Sequence, residues 1–224
     1  TDLLDDLEKA LPKNIWIRLL SLHPSRITTR LLERVASGRQ VLPYLDIPIQ
    51  HADPEILSAM NRKILPEELA SIFNTARSIN ADFALRTTCM VGFPGEKKRH
   101  FDNLLAFISA THFDRMGAFA FYPEEGTEAE KMEGRVSDAV KQKRLKKLMS
   151  LQEDISAERQ RMFVGKVMDV LVEKVDSEAS LAEGRSYREA PEVDGIVEIR
   201  NISGKIKEGD IVKVRMTEAM PHNM

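Results

Sequence analysis

The sequence has only one cysteine, Cys89, among its 224 residues. A single cysteine excludes an internal disulfide and fits the reducing cytoplasm, which is where we expect the protein. No apolar run approaches the roughly 20 residues that a membrane-spanning helix requires, so we expect no membrane association. Neither sign of charge dominates, since 33 basic and 35 acidic side chains leave a formal charge of −2. That balance argues against nucleic-acid binding through overall charge.

The first half of the chain, residues 1–123, alternates between apolar β-rich runs and helical segments. The pattern predicts strands near 15–22, 42–49, 83–91 and 116–122 and helices near 27–37, 54–62, 66–79 and 98–111. Such alternation is typical of βα units with a parallel sheet. Asp53 before Pro54 marks one helix start, and Gly38 fits the C′ position of another helix.

Residues 137–163 predict one long connecting helix. Its apolar face is predicted from the spacing of Leu145, Leu148, Ile155 and Met162. Basic side chains cover the rest of its first half. A solvated face is the favoured interpretation of this charge, and contact with RNA or the ribosome is the alternative.

Beyond residue 163 the pattern changes to short β runs separated by turn signals. The runs lie at 166–175, 182–184, 195–200 and 210–216. Regular spacing of this kind predicts a small antiparallel β-barrel or sandwich. We therefore expect two domains, an α/β domain at 1–163 and a β domain at 164–224.

Polar side chains follow the predicted strand at 42–49. Gln50 and His51 come directly after it, and ligands of parallel β/α folds bind outside the carboxyl ends of strands. Gln50 offers a donor and an acceptor to a ligand, although capping of the next helix explains it equally well. For His51 a structural role is favoured, because a lone histidine is usually structural.

The run Arg-Thr-Thr-Cys-Met-Val-Gly-Phe-Pro-Gly-Glu at 86–96 leads a buried strand into a glycine-rich turn. Gly92 and Gly95 permit close backbone approach, for example against the face of a purine. On the pattern alone an ordinary strand–helix turn is favoured. Glu96 lies near a helix start, where the helix dipole favours a carboxylate. Cys89 is predicted to be a buried thiol rather than a nucleophile.

Three charged side chains, Arg18, Asp46 and Arg86, lie on or near predicted buried strands. Charges seldom remain buried without partners. A ligand carboxylate or ribose inside the barrel explains them, and so does an internal salt bridge. Tyr122 ends the last predicted strand of the first domain, where it either lines a pocket or is a core aromatic with its hydroxyl at the rim.

Four segments resemble the radical S-adenosylmethionine (SAM) methylthiotransferase family in order and spacing. They are SLHP at 21–24, LPYLDIPIQHAD at 42–53, RTTCMVGFPGE at 86–96 and FYPEEGTEA at 121–129. The wording YLDIPIQHAD, with APEVDG at 190–195, is closest to the branch that methylthiolates the β-carbon of an aspartate in a small-subunit ribosomal protein. The alternatives are the branch that modifies a tRNA adenosine and a non-catalytic RNA- or ribosome-binding module.

The resemblance implies a partial, open β/α barrel of the radical SAM type followed by a TRAM-like β-barrel. It also implies SAM across the strand ends and two 4Fe–4S clusters in the full-length protein. Clusters need several thiolates, and this chain has no C-x-x-x-C-x-x-C. We therefore expect no cluster, no metal ligand and no catalytic residue in this chain. Because residues 1–7 read as a helix already under way, we expect a fragment that is inactive alone.

By motif position, the resemblance implies a set of cofactor-binding residues. They are Arg18, Asp46, Gln50, His51, Arg86, Thr87, Val91, Gly92, Glu96 and Tyr122. The implied partners are a small-subunit ribosomal protein and, through the TRAM-like domain, RNA, and we expect a monomer. The basic run at 97–100 departs from the family, which usually has acidic residues there. The departure leaves the charge at the mouth of the pocket open.

Overall fold

The computed structural model of the chain describes residues 1–202 and 206–220. The helices in this part are α1 (Asp2–Ala10), α2 (Thr29–Ser37), α3 (Pro54–Ala59), α4 (Pro66–Ile79), α5 (Lys98–Thr111) and α6 (Asp138–Arg161). The strands are β1 (Ile17–Leu19), β2 (Val41–Asp46), β3 (Ala84–Val91), β4 (Arg115–Ala120), β5 (Val167–Asp176), β6 (Leu181–Arg185), β7 (Val197–Arg200) and β8 (Ile211–Arg215). Every strand and helix predicted from the sequence is present, with ends displaced by a few residues.

The first sheet has the order β1-β2-β3-β4 with all neighbours parallel, as predicted. Successive side chains of a strand point to opposite faces, and β3 shows this clearly. Leu85, Cys89 and Val91 are fully buried in the core that the helices form against one face. Arg86 and Thr88 point to the other face, which we call the inner face. Cys89 is thus a buried thiol, as predicted.

The local sequence explains where helix α3 begins and where helix α2 ends. The Asp53 carboxylate accepts from the backbone N–H groups of Glu55 and Ile56 at 2.9 and 3.3 Å, which confirms the predicted cap. Gly38 ends α2, but its φ of −64° is not the left-handed conformation expected of a C′ glycine. Its missing side chain instead allows the chain to turn tightly into β2, since a Cβ there would lie 2.9 Å from Val41 Cβ.

The basic start of α5 is neutralised by local partners. Lys98 pairs with Asp102 at 2.6 Å, and Arg99 pairs with Glu55 at 2.7 Å. His100 Nδ1 accepts from the Lys97 backbone N–H at 3.1 Å. These exposed pairs offset the unfavourable dipole interaction of basic residues at a helix start.

The long helix α6 packs across the first sheet through Leu148 and Ile155, both buried. Met162 was predicted on the same face, but this is wrong, because it is 56% exposed. Met162 is the residue at which α6 ends, and the buried side chain there is that of the neighbouring Phe163. The face is also partly polar: Gln152 Nε2 donates to the Phe113 carbonyl oxygen at 2.8 Å.

The second sheet is a curled antiparallel half-barrel with the order β7-β6-β5-β8. The alternating buried residues of β5, Met168, Val170 and Val172, form its core with side chains from β6 and β7. Gly184 allows β6 to lie against β5, since a Cβ there would lie 2.3 Å from the Leu171 carbonyl oxygen. Within the described ranges, no helix combines the length and apolar content needed to cross a membrane.

Candidate cofactor site at the carboxyl ends of the parallel strands

Gln50 lies at the carboxyl edge of the parallel sheet. Beyond β2 the chain rejoins β3, because the Gln50 N–H donates to the Thr88 carbonyl oxygen at 2.9 Å and its carbonyl oxygen accepts from the Met90 N–H at 2.7 Å. The residue has a φ of +67°, the left-handed conformation. Its side-chain Oε1 is buried and has no hydrogen-bond partner in the described part of the chain. An unpaired buried acceptor costs about 1–3 kcal/mol, so Gln50 is suited to accept from a ligand.

The bend that places Gln50 is fixed from behind the sheet. Thr87 is fully buried, and its hydroxyl donates to the Ile47 carbonyl oxygen at 2.9 Å and accepts from the Ile49 N–H at 3.3 Å. Val91 is buried in the helix-side core. Thr87 and Val91 therefore shape the strand ends without reaching the inner face.

The turn after β3 is covered by α6. Gly92 has a φ of +77°, and a Cβ there would lie 2.3 Å from Lys141 Cγ. The Gly92 N–H donates to Glu96 Oε2 at 2.6 Å, and Glu96 Oε1 accepts from Arg144 Nη1 at 2.7 Å. Glu96 thus ties the turn to α6 rather than capping α5. A Cβ at Gly92 would point at the Lys141 side chain of α6, so α6 covers this side of the glycine.

His51 is also part of this buried framework. Its Nδ1 accepts from the Asp53 N–H at 2.9 Å, so a neutral ring carries its proton on Nε2. Nε2 lies 3.7 Å from Glu96 Oε2, and both side chains are fully buried. His51 therefore orders the start of α3, in keeping with the structural role favoured from the sequence.

The charged residues of the inner face have protein partners. Arg86 Nη1 donates to Asp46 Oδ1 at 3.0 Å, and Arg86 Nε lies 3.4 Å from Asp194 Oδ1. Arg18 Nη2 donates to two backbone carbonyl oxygens of the β domain at 3.2 Å, and its guanidinium lies 4.9 Å from the centre of the Tyr44 ring. Of the two interpretations that the sequence left open, internal pairing is the one that the geometry displays.

Tyr122 stands at the other side of the same edge. Its side chain is 79% exposed, so it is not a core aromatic. It borders a cavity of about 590 Å³ between the end of β4 and the start of α6. Gln50 and Tyr122 follow strands that are two places apart in the sheet, a spacing of about 10 Å. An extended ligand that lay across the strand ends would span this interval.

The β-domain partners of the inner-face charges were missed from the sequence. Asp194 belongs to the segment APEVDG, whose sequence indicates only a family resemblance. An acidic residue in a loop carries no sign of a partner 108 positions earlier (194 − 86). Such a pairing is set by the tertiary fold and has no local signature.

The described residues fit an adenosyl ligand and do not fit a metal cluster. The unpaired Gln50 acceptor matches the amino donor of a purine, and the Tyr122 ring matches its flat surface. Cys89 is a single, fully buried thiol whose pKa is raised by burial. Among the described residues, no group of three or more histidine, cysteine or acidic side chains can hold a metal ion.

Comparisons with known proteins identify the two domains and the fold. Residues 1–108 match the radical SAM superfamily, and residues 164–224 match the TRAM domain. The structure resembles that of coproporphyrinogen III oxidase (HemN) from Escherichia coli, described as a radical SAM enzyme, with a TM-score of 0.58 and 15% identity over 90% of this chain and 50% of that one. The chain is therefore a radical SAM fold followed by a TRAM domain, which confirms the predicted fold class.

The more similar relatives carry the name ribosomal protein uS12 methylthiotransferase RimO. The Carboxydothermus hydrogenoformans protein is 42% identical over 205 residues, which is 92% of this chain and 47% of the relative. The Dictyoglomus thermophilum protein is 39% identical over 224 residues, 100% of this chain and 50% of the relative. The chain spans about half the length of these curated relatives. It belongs to the radical SAM methylthiotransferase family.

Proposed function

We propose that the protein to which this chain belongs adds a methylthio group to the β-carbon of an aspartate in ribosomal protein uS12. The proposal is supported by relatives of that name at 37–42% identity. The structural observation that carries it is the unpaired, buried Oε1 of Gln50 at the carboxyl edge of the sheet. That edge is where parallel β/α folds bind their ligands.

The residues of this chain then divide by role. Gln50 accepts a hydrogen bond from the bound nucleoside, and the Tyr122 ring packs against it. Thr87, Val91 and Gly92 hold the strand ends in shape, and His51 and Glu96 order the turns behind them. Arg18, Asp46 and Arg86 maintain the inner face through their pairs. Bound SAM would supply the methyl group and, in the full-length protein, the radical chemistry that activates the substrate carbon.

The partners follow from the same proposal. Ribosomal protein uS12 is the substrate, the location is the cytoplasm and the protein acts as a monomer. RNA contact is proposed for the TRAM domain. In the first half of α6, Lys143, Lys146 and Lys147 are exposed and form no ion pair among the described residues. A solvated face is the favoured interpretation of these lysines, and RNA contact is the alternative.

Ligand binding by the chain itself is the first test. Isothermal titration with S-adenosylhomocysteine, which requires no cluster, should give saturable binding with one site per chain. Adenosine should bind more weakly and compete with it. A wild-type chain that is folded by circular dichroism and yet binds neither compound would contradict the proposed cofactor site.

The substrate is tested in cells that lack the gene. Mass spectrometry of uS12 and of tRNA should show a uS12 aspartate without its methylthio group and unchanged tRNA. Loss of a tRNA modification with normal uS12 would favour the tRNA-modifying branch. Normal modification of both molecules would favour the non-catalytic RNA-binding module.

A further inference from the structure

A segment of the β domain lies on the inner face of the parallel sheet. This segment, residues 186–194, belongs to the connection between β6 and β7, yet Ser186, Arg188, Glu189 and Ala190 are at most 1% exposed. Ala190 packs with Leu42, Tyr44 and Ala84 of the first sheet. The segment therefore fills the part of the concavity next to the amino-terminal halves of the strands.

Two charged contacts hold this segment against the first domain. The Glu189 carboxylate accepts from Arg115 Nη2 at 3.1 Å and from the Ser186 hydroxyl at 2.6 Å. Arg188 Nη2 donates to Asp114 Oδ1 at 2.8 Å, and its guanidinium lies 3.6 Å from the centre of the Phe163 ring. With polar partners on both sides, the segment has a defined position relative to the sheet.

Asp194 begins a continuous series of contacts across the inner face. Its Oδ2 accepts from the Tyr44 hydroxyl at 2.6 Å, and its Oδ1 lies 3.4 Å from Arg86 Nε. Arg86 Nη1 donates to Asp46 Oδ1 at 3.0 Å, and Asp46 Oδ2 accepts from the Ser21 N–H at 2.9 Å. Three hydrogen-bonded or ionic steps thus join the β domain to the loop that follows β1.

That loop lies at the same edge of the sheet as Gln50. Ser21 has a φ of +55°, an uncommon conformation for a residue other than glycine, so its geometry depends on its contacts. Asp46 supplies them twice, since its carboxylate accepts from Ser21 N–H and its carbonyl oxygen accepts from Leu22 N–H at 2.8 Å. The position of Asp46 in turn depends on Arg86, because the Arg86 guanidinium contacts the carboxylates of both Asp46 and Asp194.

We propose that Asp194 is a positioning residue for the cofactor site, acting through Arg86 and Asp46 on the loop at residues 20–23. The β domain then shapes the edge at which the nucleoside binds, in addition to any contact with the ribosomal target. This role in the reaction rests on the proposed function above. The physical coupling between Asp194 and Ser21 does not, so the two can be tested separately.

Hydrogen exchange of the chain, followed by mass spectrometry, tests the coupling. Asp194→Asn removes the charge that faces Arg86, and the amides of Ser21 and Leu22 should exchange about tenfold faster. Tyr44→Phe is the matched control, because it removes a different partner of the same carboxylate and leaves both Arg86 and the Ala190 N–H in place. Its Ser21 exchange should equal that of the wild type, and amides of β3 and β5 should be unchanged in both variants.

Two results would overturn the proposal: wild-type exchange at Ser21 in Asp194→Asn, or equal acceleration in Tyr44→Phe. If Asp194→Asn accelerates exchange throughout the chain, Arg86→Lys decides, because a lysine keeps the charge but cannot span two carboxylates. Arg86→Lys should accelerate exchange at residues 20–23 selectively, and an unchanged loop would contradict the coupling.

Titration with S-adenosylhomocysteine separates this inference from the proposed function. Asp194→Asn should weaken binding about threefold to tenfold, while Tyr44→Phe should bind as the wild type does. Unchanged affinity in Asp194→Asn would overturn the positioning role even if the loop exchanges faster. A wild-type chain that binds no nucleoside would remove the proposed function, and the exchange data would still decide the coupling.

Discussion

The two ends of the same parallel strands differ in how their polar groups are satisfied. Toward the amino-terminal ends, Arg86, Arg115 and Arg188 each face a carboxylate, and a segment of the β domain fills the space. At the carboxyl edge, the Gln50 acceptor is unpaired and Tyr122 is exposed. The filled end holds its charges in ion pairs, although Arg86 Nε and two nitrogens of Arg188 lack a hydrogen bond among the described residues. The carboxyl edge instead carries an unpaired amide acceptor and an exposed aromatic ring, without any ion pair between them.

Mutations at the two ends are expected to affect different quantities, stability at the filled end and ligand affinity at the open edge. Changes at the filled end should lower the free energy of unfolding, because they leave buried charges without partners. Changes at the open edge should lower ligand affinity and leave stability nearly unchanged. The following predictions test this separation, beginning with the largest expected effect.

Asp114→Asn should destabilise the chain by about 3–5 kcal/mol. The carboxylate is buried and accepts from Arg77 Nη2 at 2.6 Å, Arg159 Nε at 3.1 Å and Arg188 Nη2 at 2.8 Å. Urea unfolding at pH 7 measures the change. Asp169→Asn is the control: it removes an exposed pair with Lys213 and should cost below about 1 kcal/mol. Equal effects of both variants would show that the filled end is not held by its charges.

Acid should weaken the filled end through the same residue. Burial alone would raise the pKa of Asp114, but Arg188, Arg77 and Arg159 hold it well below its usual value. A group with a depressed pKa contributes its full stability above the unfolded value of about 4 and loses it as the pH falls further. The free energy of unfolding should therefore fall more steeply below about pH 4 in the wild type than in Asp114→Asn. Parallel pH profiles would contradict this assignment.

Gln50→Asn should lower the affinity for S-adenosylhomocysteine about tenfold, because the shortened amide no longer reaches its donor. Asparagine tolerates the left-handed backbone at this position. The free energy of unfolding should change by no more than about 0.5 kcal/mol. Titration and urea unfolding of the same preparation measure both quantities. A stability loss comparable to that of Asp114→Asn would remove the distinction between the two ends.

Replacing Lys143, Lys146 and Lys147 by glutamine should have the smallest effect on the chain itself. If α6 contacts RNA, the slope of log affinity against log salt should fall by about 0.7 for each phosphate contact that is lost from a single strand. Binding of a short single-stranded RNA at several salt concentrations measures the slope. An unchanged slope would mean that the first half of α6 is simply solvated, and the unfolding free energy should stay the same in either case.

The sequence predicted the open edge better than the filled end, for a physical reason. Strand periodicity and the Asp53 cap locate the strand end, and Gln50 follows directly from it. The partners of Arg18 and Arg86 come from a loop that has no periodic pattern and lies far along the chain. Local pattern also failed for Met162, since periodicity does not reveal where a helix ends.

The Tyr44 hydroxyl and the Asp194 carboxylate are 150 positions apart in the sequence. A chain that leaves the ribosome amino terminus first forms the parallel strands long before residue 194 emerges. During that interval Arg86 and Arg115 have yet to meet Asp194 and Glu189, and water must hydrate the concave surface in their place. The packing of the first domain is therefore completed only after the last domain has been synthesised. A truncation near the end of the chain would remove buried partners from residues near its beginning.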